Sequence, residues 1–154
     1  MKLTRADSTD PTVNELCVEQ QAELAGRDLD AFNATPKKLD PRIAFVVAYV
    51  TAPSGDRAVG CAGLQPLEPG VGELKRMYVR PDHRRNGLAR LLLAEIERMA
   101  DERGITVLRL ETGRDFHDVV ALYVSSGFYE IPRFGGYVDA EASACFEKQL
   151  RLEG

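Results

Sequence analysis

Between Glu73 and Ala89 a strand-like run, Glu73-Leu74-Lys75-Arg76-Met77-Tyr78-Val79, gives way to a short basic loop holding Arg84-Arg85-Asn86-Gly87, and then to a helix start at Leu88-Ala89-Arg90. Read as strand, loop and helix, this order aims several backbone N–H groups that lack intrahelical acceptors at one point. The positive end of the helix, worth about half a unit charge, adds to the attraction, so the turn suits a phosphate or pyrophosphate. Gly87 would let the backbone approach such an anion closely, where a side chain would collide. Arg84, Arg85 and Arg90 can add charge. The alternative is an arginine-rich surface turn at a solvated helix start.

The spacing Arg84-x-x-Gly87-x-Ala89 is neither the phosphate loop of nucleotide hydrolases nor the three-glycine dinucleotide fingerprint. Some thirty residues later stands Ala121-Leu122-Tyr123-Val124-Ser125-Ser126-Gly127-Phe128. In order and separation, the preceding strand, the arginine–glycine motif and this leucine–tyrosine segment resemble the GCN5-related N-acetyltransferase superfamily, over about residues 43–150.

That resemblance implies acetyl-CoA as co-substrate and transfer of its acetyl group to an amine. The backbone of Arg84, Arg85, Asn86, Gly87, Leu88 and Ala89, with Arg90 nearby, would cradle the pyrophosphate. Strand-edge groups of Met77, Tyr78 and Val79 would pair with the amides of the pantetheine arm. Tyr123 matches the family tyrosine that faces the cofactor sulfur. A phenol of pKa about 10 can protonate a thiolate whose conjugate acid lies near about 8.5, if held within reach; otherwise Tyr123 simply packs its helix on the sheet. Glu73 occupies the strand position where the histone-acetylating branch carries its glutamate. It is the candidate base, through a water or in a site that raises its pKa, or else a strand carboxylate paired with Lys75 or Arg76. Glu111 and Asp118 read as structural partners or caps. The family's asparagine seven residues before the tyrosine is here Phe116, so the resemblance does not carry that cofactor contact over, and Asp118 is available to cap.

The elements that must position these groups can be followed along the chain. Residues 2–6 suit an edge strand, and Asp10-Pro11 is a helix-start signal. Val13, Leu16, Cys17, Gln20 and Leu24 follow helical spacing, and residues 33–41 read as a loop or short helical turn. Strands are expected over 43–50, 58–67 and 73–79, with hairpin chemistry at Pro53-Ser54-Gly55-Asp56. Leu88, Leu91, Leu92, Ile96 and Met99 form a helical apolar stripe that Gly104 stops. A strand over 106–111, a helix over 118–126 and strands over 128–131 and 145–150 complete the order. It predicts an α/β (mixed α+β) fold whose central sheet has helices on both faces and a parallel crossover between the 73–79 and 106–111 strands. The resemblance implies about six to seven strands and a splay between those two parallel strands.

At 154 residues and 44% hydrophobic, the chain suits one domain over 1–154. No apolar run approaches a membrane span and the first residues lack a signal-peptide core, so a cytoplasmic location is expected. The three cysteines, Cys17, Cys61 and Cys145, read as reduced, buried small residues; with two histidines, they make a metal site unexpected. A net charge of −4 argues against nucleic acid as a partner. The segment Pro132-Arg133-Phe134-Gly135-Gly136-Tyr137 suits a substrate lid, with Arg133 and Tyr137 as candidate acceptor-binding residues facing the loop of residues 25–41. The expected acceptor is a primary amine on a small or amino-acid-like molecule. A protein lysine or N-terminus, and a non-catalytic acyl-CoA sensor, are the competing readings. A homodimer is common for such folds.

Overall fold

The computed structural model describes residues 1–27 and 38–150. Most of the expected loop over 33–41, and of the acceptor-side stretch 25–41, lies outside the described residues. In chain order the elements are β1 (Lys2–Asp7), α1 (Pro11–Arg27), β2 (Ala44–Ala52), β3 (Gly55–Glu68), β4 (Val71–Val79), α2 (Leu88–Glu102), β5 (Val107–Gly113), α3 (His117–Ser125), β6 (Tyr129–Ile131) and β7 (Ser143–Gln149). Short 3-10 helices stand at Pro81–His83 and Gly135–Tyr137. The strands form one mixed sheet in the order β1-β2-β3-β4-β5-β7-β6, with β4 and β5 parallel. Element order and type follow the sequence reading. The largest boundary difference is β3, which starts at Gly55 because the β2–β3 ladder closes to the Ala52↔Gly55 pair at the turn. At the start of α1, Asp10 accepts a bond from the Thr12 N–H at 2.8 Å, with Pro11 in the first helical position.

The chain divides into two compact units, Met1–Gln65 with Lys75–Ile96, and Pro66–Leu74 with Glu97–Gly154. In the first, Val13, Leu16 and Cys17 of α1 are buried with Phe45, Val47, Cys61 and Tyr78. The neighbouring residue of β3, Gly60, faces the other way: a Cβ there would sit 2.8 Å from the Tyr78 carbonyl oxygen and 3.3 Å from Leu92 Cδ1 of α2. Successive strand residues point to opposite faces, so α1 and α2 cover opposite faces of this part of the sheet. Only glycine allows the β3–β4 approach at that point.

In the second unit the same alternation separates two faces. Leu108, Leu110, Ala144 and Phe146 are buried on one. The other carries Glu73, Arg109, Glu111, Cys145 and Glu147, aligned by the pairs Glu73↔Arg109, Arg109↔Glu147 and Glu111↔Cys145. The β4–β5 ladder runs through three pairs, Val71↔Val107 to Glu73↔Arg109.

Candidate active site

The expected anion site falls on the loop of the first unit, residues 84–90. Gly87 has φ +76, a left-handed conformation, and Arg85, two residues before it, φ +66. The Gly87 carbonyl accepts a bond from the Leu91 N–H at 3.2 Å, which sets the N–H groups of Leu88 and Ala89 in the first turn of α2, ahead of any intrahelical acceptor. A Cβ on Gly87 would meet nothing within 4 Å. The turn is therefore open where a side chain would stand, which fits a ligand that must come up against the backbone.

Two arginines fix this loop. Arg84 donates from Nε to the Val79 carbonyl at 2.8 Å and grips Glu23 of α1 at 2.7 and 2.8 Å. Its guanidinium lies 5.8 Å over the Tyr78 ring. The side chain thus braces the loop against α1, while its backbone remains part of the turn. Arg80 holds Glu19 at 2.6 Å and the Ala58 carbonyl at 2.7 Å. The hydrogen bond from Arg80 keeps the Glu19 carboxyl below its ordinary pKa. Glu15, Glu19 and Glu23, four residues apart on one side of α1, were not singled out from the sequence, although that i, i+4 spacing of carboxylates is visible there.

Along β4, Arg76 has φ +57, uncommon for a residue with a side chain, immediately before the segment expected to dock the pantetheine arm. The Arg80 N–H bonds the Val59 carbonyl of β3 at 2.8 Å. By alternation Met77 and Val79 direct their backbone groups to the opposite edge, away from β3. There the Met77 carbonyl accepts a bond from Gln20 Nε2 at 2.9 Å. Tyr78, by contrast, is buried in the core and donates its hydroxyl to Glu19.

In the second unit, two residues chosen separately from the sequence meet: the Tyr137 hydroxyl donates to Glu73 Oε2 at 2.8 Å. Glu73 is buried at 5% exposure. Burial and then the adjacent Glu73 charge raise the Tyr137 phenol far above its usual range, so it stays a protonated donor. Glu111 lies on the same face and accepts a bond from Ser143 Oγ. Buried beside it, Cys145 has its thiol raised by burial first and then by the Glu111 and Glu73 charges. Cys145 is free and buried, as expected for a reduced small residue, and its strand position sets it among these carboxylates. Arg133 donates to the Val138 carbonyl at 3.1 Å and so ties the 132–138 segment to itself.

Tyr123 is buried near the end of α3 at 5% exposure, edge-on to Phe128 with 5.6 Å between ring centroids. Burial alone raises its phenol well above the ordinary tyrosine value and keeps it neutral. Phe116, where the family pattern has asparagine, is the N-cap of α3 and makes no side-chain capping bond. Its ring lies over Gly113, 3.0 Å from where a Cβ would be. Asp118 stands in the first turn of α3, where its charge suits the helix dipole. Among the described residues there is no group of three or more histidine, cysteine, aspartate or glutamate side chains able to hold a metal ion, and no helix long and apolar enough to cross a membrane.

Fold and motif lead to one class of enzyme. The model of the Acetyltransferase (GNAT) family matches residues 12–128, and the chain belongs to that family. Among its relatives is the IAA acetyltransferase of Azospirillum brasilense, 36% identical over 105 residues that span 68% of this chain and 69% of the relative. A candidate acyl-CoA N-acyltransferase from Klebsiella pneumoniae superposes with a TM-score of 0.80 at 32% identity, over 97% of each chain. PaiA N-acetyltransferase from Thermoplasma acidophilum, solved with coenzyme A, shares the fold at a TM-score of 0.71 and 21% identity, over 97% of this chain and 99% of that one.

Proposed function

We propose that this acetyltransferase moves the acetyl group of acetyl-CoA to a primary amine of a small or amino-acid-like acceptor, by direct attack within a ternary complex. The observation that carries the cofactor assignment is the open, left-handed turn at Gly87 beneath the N-terminus of α2. Family membership and the coenzyme A held by a protein of the same fold support it. In this reading the backbone of residues 84–89 holds the pyrophosphate and Arg85 and Arg90 contribute charge. The strand edge at Met77 and Val79 aligns the pantetheine arm, whereas Tyr78, expected to share that role, turns its backbone toward β3 and stays in the core; a backbone N–H near Val79 polarises the carbonyl. Acetyl-CoA supplies an activated thioester; the remaining work falls to side chains.

Glu73 is the group we assign to hold the amine and take its proton, directly or through a water. Its carboxylate is buried and held by the Tyr137 hydroxyl, so its orientation is fixed before a substrate arrives. Tyr123 is the neutral donor we assign to the departing thiolate. Its raised pKa keeps the proton in place, and the water exclusion responsible also disfavours an unprotonated thiolate. Tyr137 and Arg133 stand on the segment assigned to the acceptor. A single domain over residues 1–154, a cytoplasmic location, and no metal, nucleic-acid or membrane partner belong to the same proposal.

The test is CoA release measured with acetyl-CoA against a panel of primary amines. Release that requires an amine, with intersecting initial-velocity lines, is the expected result. Parallel lines would place the acetyl group on the enzyme first and overturn the ternary mechanism.

A further inference from the structure

Gln20 lies on α1 three residues beyond the buried Cys17, and its two terminal atoms stand in contrasting positions. Nε2 donates to the Met77 carbonyl at 2.9 Å. Oε1 is buried and, among the described residues, without a hydrogen-bond partner. Exchanging the two atoms would not remove the orphan: it would set two acceptors face to face, since a carbonyl oxygen cannot donate. A buried amide oxygen without a donor is costly, and such a group in a folded protein calls for an explanation.

The neighbouring strand edge supplies one. On the side of β4 away from β3, the Met77 carbonyl is taken by Gln20 and the Val79 carbonyl by Arg84 Nε at 2.8 Å. Both backbone acceptors of this edge are therefore occupied by the protein's own donors. The acceptor left unfilled beside Met77 is Gln20 Oε1, on the same amide whose Nε2 donates to the Met77 carbonyl. A ligand N–H brought to that atom would satisfy it.

We propose that Gln20 is a cofactor-binding residue whose Oε1 accepts an amide N–H of the pantetheine arm of acyl-CoA, while Nε2 passes the bond on to Met77. This rests on the acetyl-CoA reading above. The arm carries neutral secondary amides, which suit a neutral amide oxygen, and the expected docking edge at Met77–Val79 is where Gln20 reaches. Its length and amide are both used: a hydrocarbon of the same size would satisfy neither Met77 nor the ligand.

Binding of CoA and of 3′,5′-ADP, which lacks the arm, separates the outcomes when measured by calorimetry on the wild type, Gln20→Leu and Gln20→Met. Wild type that binds neither ligand would remove the acetyl-CoA reading itself. With wild-type binding established, the expected result is CoA affinity about tenfold weaker in both variants, with 3′,5′-ADP affinity unchanged. Equal CoA affinity in the variants, or parallel losses for both ligands, would overturn the role of Gln20 in holding the arm. Gln20→Met keeps the side-chain length, so a folding failure of Gln20→Leu leaves the test intact.

Discussion

Tyr123 and Tyr137 are both phenols whose ionisation burial opposes, yet their surroundings differ. Tyr123 packs against an aromatic ring, and desolvation alone raises it; Tyr137 is engaged with a buried carboxylate. The first arrangement suits a proton donor held in reserve, the second a residue that fixes a base. Replacing Tyr123 with phenylalanine keeps the ring packing and removes the proton. Turnover should fall about 100-fold, with acetyl-CoA affinity retained, as read by steady-state rates beside calorimetry; undiminished turnover would remove it as the acid. Glu73→Gln keeps the shape and removes the negative charge, and a fall of about 10- to 100-fold in kcat with unchanged acetyl-CoA binding is expected. Normal kcat in that variant would leave Glu73 a structural strand carboxylate. Both residues were identifiable in the sequence from family spacing. Their relation to neighbours was not: Glu73 and Tyr137 are 64 positions apart, and their meeting depends on the sheet register and the path of the β6–β7 connection.

At the scale of elements, the strand–loop–helix was legible because its determinants are local. A glycine at the required left-handed position and an apolar stripe at helical spacing are both written in consecutive residues. The brace behind the loop was not legible, because α1 and the loop are some 61 residues apart at the Glu19–Arg80 and Glu23–Arg84 pairs. Arg80 retains only 13% side-chain exposure beside Glu19 at 36%. Glu19→Gln leaves a largely buried guanidinium with only the longer, exposed pair to Glu15 at 3.3 Å. Solvent screening on the exposed side holds the cost to about 1 kcal/mol, a drop of about 2–4 °C in melting temperature. No change in melting temperature would mean that the brace adds nothing to stability. The segment leading into β2 gives a pH prediction. Hydrogen bonds from Arg42 lower Asp40 from 3.8 to about 2. A carboxyl depressed in the folded state adds stability that is fully present above its unfolded pKa and lost as pH falls through the folded value. The stability difference between wild type and Asp40→Asn should therefore hold constant above about pH 4 and close between about 4 and 2. A gap independent of pH across that window, read by urea melts, would contradict this.

For the whole molecule, composition carried general information: enough apolar residues for a core, and a modest negative charge that does not favour nucleic acid. It could not name an acceptor, because the face bearing Glu73, Glu111 and Tyr137 assembles from three separate stretches of chain. Docking of acetyl-CoA on the loop before α2 is read from the melting temperature with acetyl-CoA, CoA, dephospho-CoA, ATP or NAD, in wild type and in Gly87→Leu. A ligand at one hundred times its dissociation constant adds about 2.7 kcal/mol of stability. Acetyl-CoA and CoA should raise the wild-type transition selectively, and Gly87→Leu, folded, should lose most of the shift. No shift in the wild type well above micromolar ligand, or an equal shift in Gly87→Leu, would contradict it.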